Sequence, residues 1–155
     1  MIAIRFADLG WPIVSPLISW WTGHWTNHCD LMTRYGMISA IPVKGVVEWP
    51  RVALPARRFE VVDLPATAGQ AAAAIAFARD HLGKPYDYGA IVSFPWGAPW
   101  HDTDRWMCSE LTAAALHHAG IIAVPGHFRR VSPADLYRLV KALTPVRVPV
   151  PPLDP

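Results

Sequence analysis

The sequence predicts an α+β fold in which an antiparallel sheet from the N-terminal part packs against helices from the C-terminal part. Short β-prone segments separated by turn residues fill the chain up to Leu64, and three helix patterns with terminal signals follow. No internal repeat is visible, and no linker is long enough to divide the chain. We therefore expect one domain over residues 1–155, with a Pro-rich tail at 145–155.

The composition supports one packed core and excludes two broad classes. The chain has 155 residues, of which 52% are apolar and 17% charged, so a disordered polyelectrolyte is excluded. The net charge of +2 is too small for a broad basic field, and we expect no nucleic-acid partner. Eight tryptophans provide large contact areas, and some are candidates for a groove lining.

The first part of the chain carries five strand predictions and one short helix. The strands are Ile2–Phe6, His28–Thr33, Met37–Ile41, Gly45–Trp49 and Arg57–Leu64. Tyr35 and Gly36 form a turn that makes the second and third strands a hairpin. Ser15 followed by a proline predicts an N-cap, with a helical turn or two over Pro16–Thr22 that Gly23 ends.

The second part carries three helix predictions. They are an Ala-rich helix over Thr67–Leu82 before Gly83, a helix over Met107–His118 closed by Gly120, and a helix opened by Ser132 that runs to about Ala142. We predict that the chain between Pro85 and Trp106 is irregular, with a long loop over Gly89–Arg105 of the kind that often carries function.

The N-terminus lacks the features of a secretory signal, and the apolar stretches are too short for a membrane span. We expect a cytoplasmic protein without a transmembrane segment, while delivery to a cell envelope or a phage particle stays open. The sequence indicates no oligomeric state.

Cys108 is the residue that most suggests chemistry, because it lies at the start of a predicted helix. The helix dipole and the free N–H groups there favour a thiolate, and the same amides can bind an oxyanion. This placement is typical of a nucleophilic cysteine. The alternative is that Cys108 is a small buried hydrophobic residue.

A general base and a metal site are the two uses open to the histidines. His28 starts a predicted strand, which holds an imidazole firmly, so it is the candidate base. The possible zinc ligands are His24, His28, Cys29, Asp30 and Cys108, but their spacing matches no paired Cys-x-x-Cys or zinc-peptidase motif. We expect no cofactor, and the zinc protein stays as an alternative.

Two segments resemble a known family. Residues 82–89 (LGKPYDYG) and 106–111 (WMCSEL) are similar to the NlpC-like cysteine peptidases of the papain-like superfamily. The matching histidine segment, 27–32 (NHCDLM) with 38–40 (ISA), precedes the cysteine here, whereas it follows the cysteine in most of that family. This inverted order is similar to the circularly permuted, YiiX-like branch, which is related to the lecithin retinol acyltransferase type. The resemblance covers most of residues 11–140.

The resemblance implies a circularly permuted papain-like core and a catalytic set. In it, Cys108 is the nucleophile, His28 is the general base, and Tyr86 helps to position the thiol or the oxyanion. The residue that orients the imidazole falls on Ser39, a weaker orienter than a carboxylate, and Glu48 on the next strand is a possible substitute.

The resemblance also implies a function: a thiol hydrolase or acyltransferase that acts on an amide bond through a thioester. The expected substrates are peptide crosslinks of the bacterial cell wall or lipid-linked amides. Trp96, Trp100 and Trp106 are expected to line the cleft or to pack under the long loop. A binding module that kept the fold without the chemistry is the first alternative, and Ser39 motivates it.

Overall fold

The computed structural model describes residues 1–51, 55–93, 104–123 and 131–144. Within these ranges the chain forms five strands and five helices. In chain order they are β1 (Ile2–Asp8), α1 (Val14–Thr22), β2 (His28–Met32), β3 (Gly36–Ile41), β4 (Gly45–Pro50), β5 (Arg58–Leu64), α2 (Ala68–Asp80), α3 (Tyr88–Ser93), α4 (Cys108–His118) and α5 (Pro133–Leu143).

The five strands form one antiparallel sheet in the order β4-β3-β2-β1-β5. Strands β1 to β4 follow one another as a meander, and β5 returns to pair with the free edge of β1. In this register Ala7 lies opposite His28, and Arg5 lies opposite Asp30. The predicted α+β class, with an antiparallel sheet and helices, is confirmed.

Helix α4 is the centre of the core. Every residue from 108 to 116 is buried, and the helix contacts β2, β3, α2 and α5. Phe6 and Leu31 from the sheet and Leu111 from α4 belong to one apolar cluster and are at most 1% exposed. Each such side chain stabilises the fold by about 1.5–3 kcal/mol through removal from water. A helix that is buried all round fixes its own N-terminus firmly against the sheet.

The chain after α2 is tied to the sheet edge by a close backbone approach at Gly45. Val46 N–H donates to the Lys84 carbonyl at 2.8 Å, and Gly83 N–H donates to the Val46 carbonyl at 2.9 Å. Gly45 has φ +72°, and a Cβ there would collide with the Lys84 carbonyl oxygen. The absence of a side chain at Gly45 therefore lets the segment that leads to Tyr86 lie against β4.

Capping boxes fix the N-termini of two of the predicted helices, and the cap predicted at Ser132 is confirmed. Thr67 Oγ1 accepts a hydrogen bond from Gln70 N–H at 3.1 Å, and Gln70 Oε1 accepts one from Thr67 N–H at 3.1 Å. Ser132 and Asp135 form the same reciprocal arrangement at α5. Such capping boxes satisfy backbone donors that the first turn would leave free.

Two local predictions were wrong. Helix α1 begins at Val14, and Ser15 lies inside its first turn instead of capping it. There its Oγ accepts from Trp11 N–H at 3.0 Å and donates to Asn27 Oδ1 at 3.2 Å, so it serves tertiary contacts. The stretch predicted as irregular after Pro85 contains α3, whose Ala90 N–H donates to the Asp87 carboxylate at 3.0 Å.

Other predictions fall outside the described residues: the Pro-rich tail at 145–155, and Trp96 and Trp100 of the long loop. In the part of the chain that the structure describes, no helix combines the length and the apolar character that a bilayer crossing requires.

Candidate active site

The Cys108 side chain lies at the first residue of α4, and the residue is 1% exposed. Glu110 closes this helix end, because its Oε2 accepts a hydrogen bond from Met107 N–H at 3.2 Å. The N–H groups of the first turn and the positive end of the helix dipole favour a negative charge at this point. The position therefore supports the thiolate form of Cys108.

His28, at the start of β2, is held by two polar side chains. Its Nε2 lies 2.9 Å from Asp30 Oδ1 and 3.1 Å from Ser39 Oγ. Ser39 Oγ donates its own proton to the Cys29 carbonyl at 2.8 Å, so it accepts from Nε2–H. With Nε2 occupied in this way, Nδ1 is the ring nitrogen that is left for an interaction with Cys108.

Asp30 supplies the carboxylate that the sequence analysis did not assign to the histidine. It is fully buried, and its Oδ2 accepts a hydrogen bond from Arg5 Nε at 2.8 Å. Burial alone would raise the pKa of Asp30, but the charges and hydrogen bonds of His28 and Arg5 hold it below its usual range. Asp30 is thus a buried carboxylate with a cation on either side, which is the condition for keeping its charge.

The imidazole of His28 and the thiol of Cys108 interact directly. Burial alone would lower the pKa of His28, but the charges of Asp30 and Cys108 and hydrogen bonds to both raise it to about 10. The pKa of Cys108 is well below its usual range: a hydrogen bond from the Cys29 thiol has the largest effect, burial opposes it, and His28 adds to it. Both shifts favour a thiolate on Cys108 beside an imidazolium on His28.

Cys29 is the second thiol of the site, and it stays protonated. Burial is the main cause of its raised pKa, and the neighbouring Cys108 raises it further. Its Sγ lies 3.7 Å from Thr112 Oγ1, one turn into α4, and this hydroxyl donates to the Cys108 carbonyl at 2.9 Å. The Cys29 thiol also interacts with the Cys108 sulfur, and this interaction is the largest cause of the low pKa of Cys108. From the sequence alone, Cys29 was a candidate only for a metal ligand.

Tyr86 is placed beside Cys108 by a short parallel bridge to Trp106. Asp87 N–H donates to the Trp106 carbonyl, and Trp106 N–H donates to the Pro85 carbonyl, each at 3.1 Å. Burial raises the pKa of Tyr86, and the negative charge of Cys108 raises it further. Its hydroxyl therefore keeps its proton and can donate a hydrogen bond in the site.

Trp11 covers the histidine. Its ring centroid lies 5.6 Å from that of His28, and the planes meet at 62° in an edge-to-face contact. This packing excludes water from the imidazole and fixes its orientation. Because Trp11 lies just before α1, this contact links that helix to the site.

The structure thus brings four sequence-predicted residues together: Cys108, His28, Ser39 and Tyr86. The alternative orienter, Glu48, is wrong on geometry, because its carboxylate binds Arg79 at 2.8 and 3.0 Å and does not contact His28.

Other residues singled out in the sequence lie elsewhere or outside the described part. His24 packs against Tyr137 of α5, with ring centroids 5.1 Å apart. Trp106 is buried, and it contacts Phe77 and His81 of the α2 region. Its indole therefore packs the core on the α2 side.

Among residues 1–51, 55–93, 104–123 and 131–144, no group of three or more His, Cys, Asp or Glu side chains has an arrangement that could hold a metal ion. Comparison with known proteins gives no further identification, since the chain matches no family model and no curated protein.

Proposed function

We propose that this protein is a cysteine hydrolase that cleaves an amide bond through a thioester acyl-enzyme. The observation that carries the proposal is the set of contacts among Asp30, His28 and Cys108: a buried carboxylate, an imidazole bound to it through Nε2, and a thiol at a helix N-terminus that interacts with this imidazole. These are the parts that nucleophilic catalysis by cysteine requires.

In the acylation step, the Cys108 thiolate attacks the amide carbonyl carbon, and the carbonyl π electrons move to oxygen. His28 then gives its Nδ1 proton to the leaving nitrogen as the C–N bond breaks. The amine departs, and a thioester remains on Cys108. Asp30 and Ser39 keep the imidazole in the orientation that this transfer needs.

The negative oxygen of the tetrahedral intermediate requires donors that are already in place. The backbone N–H groups of the first turn of α4 are oriented for this, and the Tyr86 hydroxyl stays protonated nearby. Preorganised donors of this kind are worth about 3 kcal/mol each in comparable reactions.

In deacylation, His28 changes from a proton donor to a proton acceptor. His28, now neutral, takes a proton from water, and the hydroxide attacks the thioester carbonyl. The tetrahedral intermediate collapses and expels the Cys108 thiolate, and the released product is a carboxylic acid.

A circularly permuted, NlpC-like core is part of this proposal. It is supported by the order of the elements, since His28 on β2 precedes Cys108 on α4, and by the buried position of α4 against the sheet. The proposed substrates remain cell-wall peptides and lipid-linked amides.

The test is incubation of the purified chain with two separate pools, peptides released from bacterial cell walls and N-acyl lipid amides in detergent. The reactions are quenched in acid and analysed by mass spectrometry. We expect one pool to give a carboxylate product and an acyl adduct on Cys108, and Cys108→Ala to give neither. Equal product from Cys108→Ala would overturn the assignment.

The burial of Cys108 favours one second candidate, a binding module that keeps the fold without turnover. In that case a pool would yield a ligand that co-purifies unchanged with both the wild type and Cys108→Ala. The same experiment therefore separates the two functions.

A further inference from the structure

Helix α1 packs with its less apolar side inward. Ser15 and Ile18 face the protein and are 3% and 7% exposed, whereas Ile13, Leu17 and Trp20 are 78%, 42% and 79% exposed. These three outward residues are spaced by four and three positions, so they form a single stripe along one face of the helix. A helix of a water-exposed surface has the opposite pattern.

The segment around this stripe carries no charge. From Leu9 to Asn27 there is no Asp, Glu, Lys or Arg. Moving the outward face of α1 into an apolar medium would therefore desolvate no charged side chain of its own segment. Trp20 and Trp21 also have the side chain that prefers the boundary between hydrocarbon and headgroups, because indole is apolar with one polar N–H.

Two exposed arginines lie beside the ends of this segment. The Arg57 guanidinium lies against Gly10, shortly before α1, and the Arg58 guanidinium lies 4.3 Å over the ring of Trp25, shortly after it. The nearest carboxylate along the chain, Asp8, accepts hydrogen bonds from Asn27 and Gly10. The apolar stripe is thus flanked by positive charge, which complements anionic headgroups.

We propose that the outward face of α1 docks onto the surface of an anionic lipid bilayer. Leu17 and Trp20 enter the boundary between headgroups and acyl chains, and Arg57 and Arg58 bind lipid phosphates. The helix lies in the surface and does not cross it. A second copy of this chain fits this face less well, because a twofold contact through α1 would bring the arginines of both copies together.

The docking does not depend on chemistry at Cys108, so it can hold whether or not the proposed hydrolysis does. It does place the candidate active site near the lipid, because Trp11 packs on His28 and leads directly into α1.

The experiment is co-sedimentation of the full chain with two kinds of vesicle, phosphatidylcholine alone and phosphatidylcholine mixed with phosphatidylglycerol. We expect the wild type to pellet with the mixed vesicles, and added salt to weaken this binding. Trp20→Glu should lower the partition coefficient for the mixed vesicles by about tenfold or more, because a charge replaces an apolar side chain that enters the bilayer. Arg57→Glu should weaken binding to the mixed vesicles only.

Tyr35→Glu is the matched control, since Tyr35 is also an exposed aromatic, 77% accessible, but lies at the far end of β2. It should bind like the wild type, and circular dichroism should show the same fold for all variants. The proposal is overturned if the wild type pellets with neither vesicle or if Trp20→Glu binds as well as the wild type. It is also overturned if sedimentation shows a dimer that Trp20→Glu dissociates.

Discussion

The carboxylate of Asp30 lies 2.9 Å from Nε2 of His28, two residues earlier on the same strand. Strand geometry causes this contact, because side chains two apart point to the same face of a sheet. Arg5 on the neighbouring strand holds the other oxygen of Asp30 at 2.8 Å. The sheet register therefore places a carboxylate beside His28 and an arginine, Arg5, that holds this carboxylate in position.

Replacement of Asp30 by asparagine tests this arrangement. Asp30→Asn removes the charge that supports the imidazolium and breaks the buried ion pair between Asp30 and Arg5. We expect the pKa of His28 to fall from about 10, and amide hydrolysis to fall at least about tenfold. Stability should drop by on the order of 3 kcal/mol, as measured by urea unfolding at neutral pH.

Glu48→Gln is the control for Asp30→Asn, because Glu48 is also an ion-paired carboxylate but contacts Arg79 near the surface. Such a pair is worth about 0.2–1 kcal/mol, so Glu48→Gln should lower the free energy of unfolding only slightly and leave hydrolysis unchanged.

The pH dependence of stability gives a second test of Asp30. Because the pKa of Asp30 is lowered in the fold, its contribution to the free energy of unfolding is present above the unfolded pKa of about 3.9 and is lost as pH falls through the folded pKa. Asp30→Asn should lack this acid dependence, and an unchanged dependence would contradict the assignment.

The pH dependence of two reactions reports the thiolate–imidazolium pair. Alkylation by iodoacetamide needs only the thiolate, so its rate at Cys108 should rise at a pH well below that of an ordinary thiol and then stay level. Hydrolysis also needs the proton on His28, so it should fall again as pH rises through about 10. Intact-mass measurement of the alkylated protein and product assays over the same pH series give both curves. A Cys108 profile centred on the ordinary thiol value would count against the pair.

The contribution of Cys29 can be separated with two substitutions. Cys29→Ala removes the hydrogen bond between Cys29 and Cys108, whereas Cys29→Ser keeps a hydrogen-bonding group of similar size. We expect Cys29→Ala to move the acid limb of Cys108 alkylation to higher pH by about one unit, since hydrogen bonds to charged groups are worth about 1.5–3 kcal/mol. Cys29→Ser should lie close to the wild type, and equal shifts in both variants would assign Cys29 a packing role alone.

The sequence was sufficient to predict most of the local elements, because their signals are local; the start of α1 and helix α3 were the exceptions. The hairpin turn before Gly36, the cap at Ser132 and the helix that Cys108 begins all depend on neighbouring residues. The meeting of Cys108 with His28 followed from the family resemblance, since nothing local brings residues eighty positions apart into contact.

The errors have physical causes in strand register and tertiary packing. Glu48 pairs with Ile38, whereas Ser39 pairs with Val47, so Glu48 and Ser39 point to opposite faces of the sheet. The strand register decides which of these two residues lies on the face of His28, and the sequence alone does not give this register. Asp30 could have been found, because the alternation of a strand places it on the face of His28.

The close approach at Gly45 gives a last prediction, which links the sheet edge to the site. Gly45→Ala should destabilise the fold by about 2–3 kcal/mol or more, since the left-handed φ costs about 1–2 kcal/mol and the added Cβ collides with the Lys84 carbonyl. The control is Gly23→Ala, which has a similar φ of +61° but no atom within 4 Å of the added Cβ, so it should cost only about 1 kcal/mol. Urea unfolding measures both free energies.

The same pair of substitutions tests the link to the site. Because the strand-like contact at Lys84 leads to Tyr86, Gly45→Ala should also slow hydrolysis at temperatures where it is still folded, and Gly23→Ala should not. Equal costs for the two substitutions would show that the backbone at Lys84 moves freely, and that it does not fix Tyr86 in the site.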